Sequence, residues 1–136
     1  MRLLLDTDVV SGILTGRASL GLKNRLELVP PALRHISAIT LGELLYGMER
    51  SGRHGHLLDH LETQILPQVT ILPFDEQAAR EYAVLRVTLE RQGQMLDDAD
   101  LRIASIALAN RLALITGNDR HFRRIPGLRV HNWLGD

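Results

Sequence analysis

The chain opens with a short apolar run that ends in two acids, Leu3-Leu4-Leu5-Asp6-Thr7-Asp8. The run is too short for a helix and does not alternate between apolar and polar residues, which indicates a buried strand over residues 2–6. Thr7 or Asp8 is placed to cap a helix that follows and runs to Leu14. A buried strand followed directly by a helix is typical of parallel α/β folds.

The rest of the sequence repeats this alternation. Further strands are predicted over residues 35–38, 69–72, 112–116 and 129–133, and further helices over 18–28, 40–51, 56–66, 76–92 and 98–111. Alternating strands and helices predict an α/β protein, a three-layer α/β/α sandwich with a central, mainly parallel sheet of four to five strands. The length of 136 residues suits a single domain over residues 1–136.

The composition excludes several classes of protein. The 16 basic residues balance the 16 acidic ones, so no strong basic field indicates nucleic acid. The sequence contains no cysteine, which excludes disulfides and thiolate metal sites, and we expect a cytoplasmic protein. No apolar stretch approaches the roughly 20 residues of a membrane span.

Three acids stand where the predicted elements begin or end. Asp6 ends the first strand, Glu43 lies in the helix after the second strand, and Asp100 opens a later helix. In open parallel sheets, ligands bind beyond the carboxyl ends of the strands. Ile103 and Ala104 share a helix face with Asp100, so we expect Asp100 to point inward. Gathered together, these carboxylates suit a hard cation such as Mg²⁺.

Each acid also has a simpler interpretation. Asp6 and Asp8 could cap the first helix, and Glu43 could pair with Arg50 across two turns. Asp97, Asp98 and Asp100 could favour a helix N-terminus through its dipole. Considered one at a time, these interpretations are the better ones. Considered together, the acids lie where the fold would gather them, and crowded carboxylates need a cation to offset their repulsion. The combination favours a metal site.

Four segments carry a family resemblance. They are Leu4-Leu5-Asp6-Thr7-Asp8, Ser37-Ala38-Ile39-Thr40-Leu41-Gly42-Glu43-Leu44-Leu45-Tyr46-Gly47, Asp98-Ala99-Asp100-Leu101-Arg102-Ile103-Ala104, and residues 114–133. In this order and at these separations the chain resembles the PIN-domain ribonucleases, specifically the VapC-type toxins of prokaryotic toxin–antitoxin pairs. The likeness covers essentially the whole chain.

The resemblance assigns roles to individual residues. It implies metal ligation and catalysis by Asp6, Glu43 and Asp100, with the fourth acidic position filled jointly by Asn118 and Asp119. The side chains expected to orient these ligands or cap helices are those of Thr7, Asp8, Asp98 and Thr116. Four arginines are candidate contacts to RNA phosphates, although ordinary solvated surface is an equally good interpretation: Arg17, Arg120, Arg123 and Arg124.

The resemblance also implies an activity. We expect a Mg²⁺- or Mn²⁺-dependent endoribonuclease that hydrolyses structured RNA such as tRNA or rRNA, forms a homodimer and is neutralised by a small antitoxin. One alternative is an aspartyl-phosphate phosphatase of the haloacid-dehalogenase type, because Asp6-Thr7-Asp8 after a strand is similar to the Asp-x-Asp nucleophile motif of those enzymes. The sole lysine, Lys23, comes too early in the chain for that chemistry. A second alternative is a scaffold that binds metal or RNA without cutting.

Overall fold

The computed structural model of the chain describes residues 1–52 and 54–134. Its strands are β1 (Leu3–Leu5), β2 (Arg34–Ser37), β3 (Thr70–Leu72), β4 (Ala113–Ile115) and β5 (Val130–His131). They form one sheet in the order β3-β2-β1-β4-β5, and every neighbouring pair is parallel. The predicted parallel sheet is therefore confirmed, with five strands.

Helices connect the strands. They are α1 (Thr7–Leu14), α2 (Leu20–Glu27), α3 (Ala38–Ser51), α4 (His54–His60), α5 (Glu76–Arg91), α6 (Asp98–Asn110) and α7 (Asp119–Phe122). Short 3₁₀ segments lie at Pro31–Leu33 and Leu66–Gln68, and a π-helical turn lies at Leu61–Ile65. Within residues 1–52 and 54–134, no helix has the length and apolar character needed to cross a bilayer.

The side chains of the central strand divide the core into two layers. Leu3 and Leu5 pack with residues of α1, α2 and α3, whereas Leu4 packs with residues of α5 and α6. Successive side chains of a strand point to opposite faces, so the all-leucine β1 fills both layers. Helices cover the sheet on both sides, and the predicted three-layer α/β/α sandwich is confirmed.

Two local predictions were wrong, and one short helix was not predicted. The N-cap of α1 is not Thr7 or Asp8 but Asp6, which agrees with the simpler interpretation of that acid as a helix cap. The single helix expected over 56–66 ends at His60 and continues as a π turn, just before Pro67, whose ring cannot continue a regular helix. The helix α7 was not predicted because four residues are too few to show a period.

Candidate active site

Asp6 lies at the carboxyl end of β1, beside the end of β4, because the two strands are neighbours. It is 3% exposed, and its Oδ1 accepts a hydrogen bond from the Thr7 amide at 2.8 Å. Its Oδ2 accepts one from the Thr116 hydroxyl at 2.7 Å. Burial raises the pKa of the Asp6 carboxyl to about 7, helped by the charges of Asp8 and Asp100 and opposed by the two hydrogen bonds. Without a nearby cation this carboxyl is therefore only partly ionised at neutral pH.

Asp8 fixes the loop that follows β4. Its Oδ2 accepts a hydrogen bond from the Gly117 amide at 2.9 Å, and its Oδ1 is buried with no hydrogen-bond partner among the described residues. A Cβ atom at Gly117 would lie 2.6 Å from Asp8 Oδ2 and closer still to Leu134, so only glycine fits without a shift of its neighbours. The unpaired Oδ1 leaves a carboxylate oxygen available to a cation or a water molecule.

Glu43 reaches the same edge of the sheet from α3. Glu43 is exposed, and its Oε1 accepts a hydrogen bond from Thr7 Oγ1 at 2.7 Å. The amide of Thr7 donates to Asp6 as well. One threonine at the start of α1 therefore links two of the predicted acids, which come from different elements.

Asp100 approaches from the first turn of α6. It is half-buried, and Ile103 on the same helix face is fully buried, so Asp100 faces the interior at the edge of the sheet. Burial raises the pKa of the Asp100 carboxyl, and the negative charges of Asp97 and Glu43 raise it further. The positive charge of His121 acts in the opposite direction.

Folding thus brings Asp6, Asp8 and Glu43 within electrostatic reach of Asp100, and Asp8 within reach of Asp6. Over the residues that the structure describes, no three Asp, Glu, His or Cys side chains form a ready-made metal-binding group. Mg²⁺ usually keeps several waters and takes only one or two carboxylates besides substrate phosphates. The acids here offer only oxygen donors, repel one another and include the unpaired oxygen of Asp8. These properties fit a Mg²⁺ ion that is bound by one or two carboxylates and otherwise by water.

The two candidates for the fourth position have different surroundings. Asp119 Oδ1 accepts a hydrogen bond from Asn132 Nδ2, and Oδ2 accepts one from Arg123 Nε, both at 3.0 Å. These bonds lower the pKa of Asp119, and the bond from Asn132 has the larger effect. The backbone amide of Asn118 donates to Thr116 Oγ1 at 3.0 Å, and the same hydroxyl donates to Asp6. The backbone at Asn118 is therefore fixed beside the buried acid, while both oxygens of Asp119 have local partners.

Asp98 joins α6 to α5. The Tyr82 hydroxyl donates to one oxygen of Asp98, and Arg102 Nε donates to the other at 2.8 Å. These bonds hold the pKa of Asp98 below its usual value. The N-cap of α6 is the preceding residue, Asp97. Sequence reasoning missed Tyr82, because no spacing rule relates a residue of one helix to a residue of the next.

The four arginines proposed as RNA contacts differ in accessibility. Arg17, Arg120 and Arg123 are exposed, and Arg124 is half-buried. Arg17 Nε donates to Thr15 Oγ1 at 3.1 Å. Arg120 lies on α7 next to Asp119, on the side of the molecule where the strands end.

Comparison with known proteins agrees with this parallel α/β fold. The model of the PIN domain family matches residues 3–128. The chain belongs to the PIN-domain family, and the resemblance seen in the sequence is confirmed. This membership favours the nuclease interpretation over the phosphatase alternative.

Its relatives include two VapC proteins. It is 37% identical to Ribonuclease VapC2 of Rickettsia felis over 98 residues, which are 72% of this chain and 72% of that protein. It is 38% identical to the tRNA(fMet)-specific endonuclease VapC of Salmonella typhimurium over 98 residues, 72% of this chain and 74% of that protein. Among solved structures, VapBC2 from Rickettsia felis bound to a promoter DNA fragment superimposes with a TM-score of 0.89 at 31% identity. That match covers 98% of this chain and 99% of the other.

Proposed function

We propose that this chain is a divalent-metal-dependent endoribonuclease and the toxin of a toxin–antitoxin pair. The observation that carries the proposal is that Asp6, Glu43 and Asp100 come from different elements and lie together at the carboxyl edge of the sheet. Asp100 is within electrostatic reach of both other acids, and Thr7 donates to Asp6 and to Glu43. The names of the relatives, ribonuclease and endonuclease, support the reaction class.

Asp6 and Asp100 would be the main holders of Mg²⁺ or Mn²⁺, with Glu43 and the Asn118–Asp119 pair completing the site. Such an ion polarises a phosphate oxygen and lowers the pKa of water. Glu43 and Asp119 would orient the water that attacks phosphorus, and the 3′-oxygen of the ribose would leave. The products would then carry a 5′-phosphate and a 3′-hydroxyl.

The surroundings of Asp6 suit this role. Hydrogen bonds from Thr7 and Thr116 fix both carboxylate oxygens, so the side chain is oriented before any ligand arrives. Each oxygen of a carboxylate has two lone pairs and can accept one further contact. The attraction of a cation would offset the repulsion from Asp8 and Asp100 and would favour the ionised form of Asp6.

The direct test combines purified protein, labelled structured RNA and Mg²⁺ or Mn²⁺, with and without a chelator. Wild-type protein should cleave only with the ion, and Asp6→Asn should reduce cleavage to background. Asp59→Asn is the matched control, because Asp59 is an exposed acid on α4. Cleavage that persisted in excess chelator, or in Asp6→Asn, would contradict the metal mechanism.

We propose tRNA or rRNA as the substrate class. One relative is a tRNA(fMet)-specific endonuclease, and sequence-specific RNA recognition favours unstacked loops. Sequencing the 5′ ends of RNA from cells that briefly express the chain would identify the target. Tight RNA binding without products under any divalent ion would instead support the non-catalytic scaffold. Hydrolysis of a generic phosphate monoester would support the phosphatase.

We also propose a cytoplasmic homodimer that is neutralised by a small antitoxin. The solved relative from Rickettsia felis is a VapBC complex. Beside Glu43, a groove of about 230 Å³ between α1 and α3 is lined by apolar residues that include Leu14, Leu44 and Met48. An antitoxin segment could lay apolar side chains there and reach the acids. Co-purification would test binding of the antitoxin, and light scattering of the free chain would test the homodimer.

A further inference from the structure

A series of hydroxyl groups connects the buried start of α3 with Glu43. Ser37 Oγ lies 3.2 Å from Thr40 Oγ1. That oxygen lies 3.0 Å from Thr7 Oγ1, which lies 2.7 Å from Glu43 Oε1. Ser37 and Thr40 are fully buried, whereas Glu43 is exposed. The series therefore runs from the core to the proposed active site.

The hydrogens of this series can point in only one direction when Glu43 is ionised. A carboxylate accepts and cannot donate, so the single hydroxyl hydrogen of Thr7 goes to Glu43. Thr7 Oγ1 must then accept from Thr40, and Thr40 Oγ1 must accept from Ser37. Ser37 Oγ accepts in turn from the Thr40 amide at 2.9 Å. Each hydroxyl thus donates once and accepts once, and all three are oriented towards Glu43.

This arrangement matters because Glu43 is on an exposed helix surface. A free glutamate side chain there would sample several rotamers, and fixing one of them costs conformational entropy. The Thr7 hydroxyl offers a fixed donor, and Thr7 is itself held between Thr40 and the bond from its amide to Asp6. The orientation of Glu43 is therefore coupled to that of Asp6.

We propose that Ser37, Thr40 and Thr7 are positioning residues that hold Glu43 in the orientation required for phosphodiester hydrolysis. The inference rests on the proposed nuclease function. It gives Ser37 and Thr40 a role in addition to the N-cap bond of α3, and it makes Thr7 the link between Glu43 and Asp6.

The test uses Thr→Val substitutions, which keep the size of the side chain and remove its hydroxyl. Thr7→Val should slow single-turnover RNA cleavage by about 10-fold or more, the range seen when supporting partners of metal ligands are lost. Thr40→Val should slow it less, because Thr7 can still donate to Glu43. Thr7→Ser and Thr40→Ser should restore the rate. Thr88→Val is the matched control, since its hydroxyl bonds a carbonyl within α5.

The double variant decides whether the residues act in series. If they do, Thr7→Val combined with Thr40→Val is no slower than Thr7→Val alone, because the last link is already broken. Slowdowns that multiply, or a wild-type rate in Thr40→Val, would overturn the proposal. If the wild type cleaves RNA, Asp6→Asn does not, and the threonine variants cleave at the wild-type rate, the positioning proposal fails while the nuclease function stands.

A second measurement does not depend on activity. In ¹³C-labelled protein, the carboxyl carbon signal of Glu43 should move in both Thr7→Val and Thr40→Val, and stay in place in Thr88→Val. An unmoved signal in Thr7→Val would refute the coupling even if the wild-type chain cleaved none of the RNAs tested. Thermal unfolding of each variant checks that it is folded at the temperature of the assays.

Discussion

Replacing Asp6 by asparagine should make the metal-free protein more stable at pH 8 than the wild type. The pKa of Asp6 is about 7 in the folded protein, against an ordinary value of 3.8. The folded chain therefore binds a proton more tightly than the unfolded chain, and its free energy of unfolding falls as pH rises from about 4 to about 7. The difference of about three pKa units corresponds to about 4 kcal/mol, of which more than half falls between pH 5 and pH 8.

Asparagine cannot ionise, so it removes the loss of stability that comes from ionising a buried carboxyl. It can also keep the hydrogen bonds with Thr7 and Thr116. Its amide oxygen can accept from the Thr7 amide, and its NH₂ group can donate to Thr116 Oγ1 in place of the present bond. The assay is urea unfolding of both proteins in chelator at pH 5 and pH 8. The stability of Asp6→Asn relative to wild type should rise by roughly 2–3 kcal/mol between the two pH values.

Mg²⁺ provides the second half of the experiment. A bound cation favours the ionised carboxylate, so Mg²⁺ should stabilise the wild type more at pH 8 than at pH 5 and have little effect on Asp6→Asn. The exposed variant Asp59→Asn should follow the wild type throughout. Parallel pH dependence in wild type and Asp6→Asn would refute the reasoning, because it would mean that Asp6 ionises as if it were exposed to water.

Three further predictions concern single positions. Gly117→Ala should lower the free energy of unfolding, measured in urea, by about 1–3 kcal/mol, because the added methyl group would clash with Asp8 and Leu134. The control Gly47→Ala adds a methyl group at an open helical position and should not destabilise the protein. Leu114→Ala, at a fully buried position of β4, should cost about 2–5 kcal/mol in the same assay. Arg120→Ala should weaken RNA binding and reduce the slope of log affinity against log salt by about one; an unchanged slope would remove Arg120 from the phosphate contacts.

Much of the fold could be predicted because it depends on local pattern. The run Leu3–Leu5 fits a strand buried on both faces, and both core layers indeed contain side chains of this strand. The helix predicted over 76–92 agrees closely with α5, which Asp75 caps and which Gly93 follows at a positive φ, because such end signals act within a few residues. The helix ending near Pro67 was predicted less well, because the sequence shows where a helix must stop but not how its last turns relax.

The sequence also located the acids at the ends of elements. The carboxyl ends of parallel strands share one edge, so the position of Asp6 along the chain already predicted the edge where it would lie. The choice between Asn118 and Asp119 could not be made in this way. It depends on the surroundings of each side chain, such as the bond from Asn132 to Asp119, which forms only once β5 has paired with β4.

The sequence by itself therefore determined the alternation of strands and helices, the family and the acids at the sheet edge, because periodicity and chain order suffice for these. Only the tertiary structure decided which groups surround each acid. Thr116 donates to Asp6 across 110 positions of sequence, and burial between neighbouring strands shifts the pKa of Asp6 to about 7. Desolvation and hydrogen bonding depend on distances in space, and no spacing along the chain encodes the distance between Thr7 and Glu43.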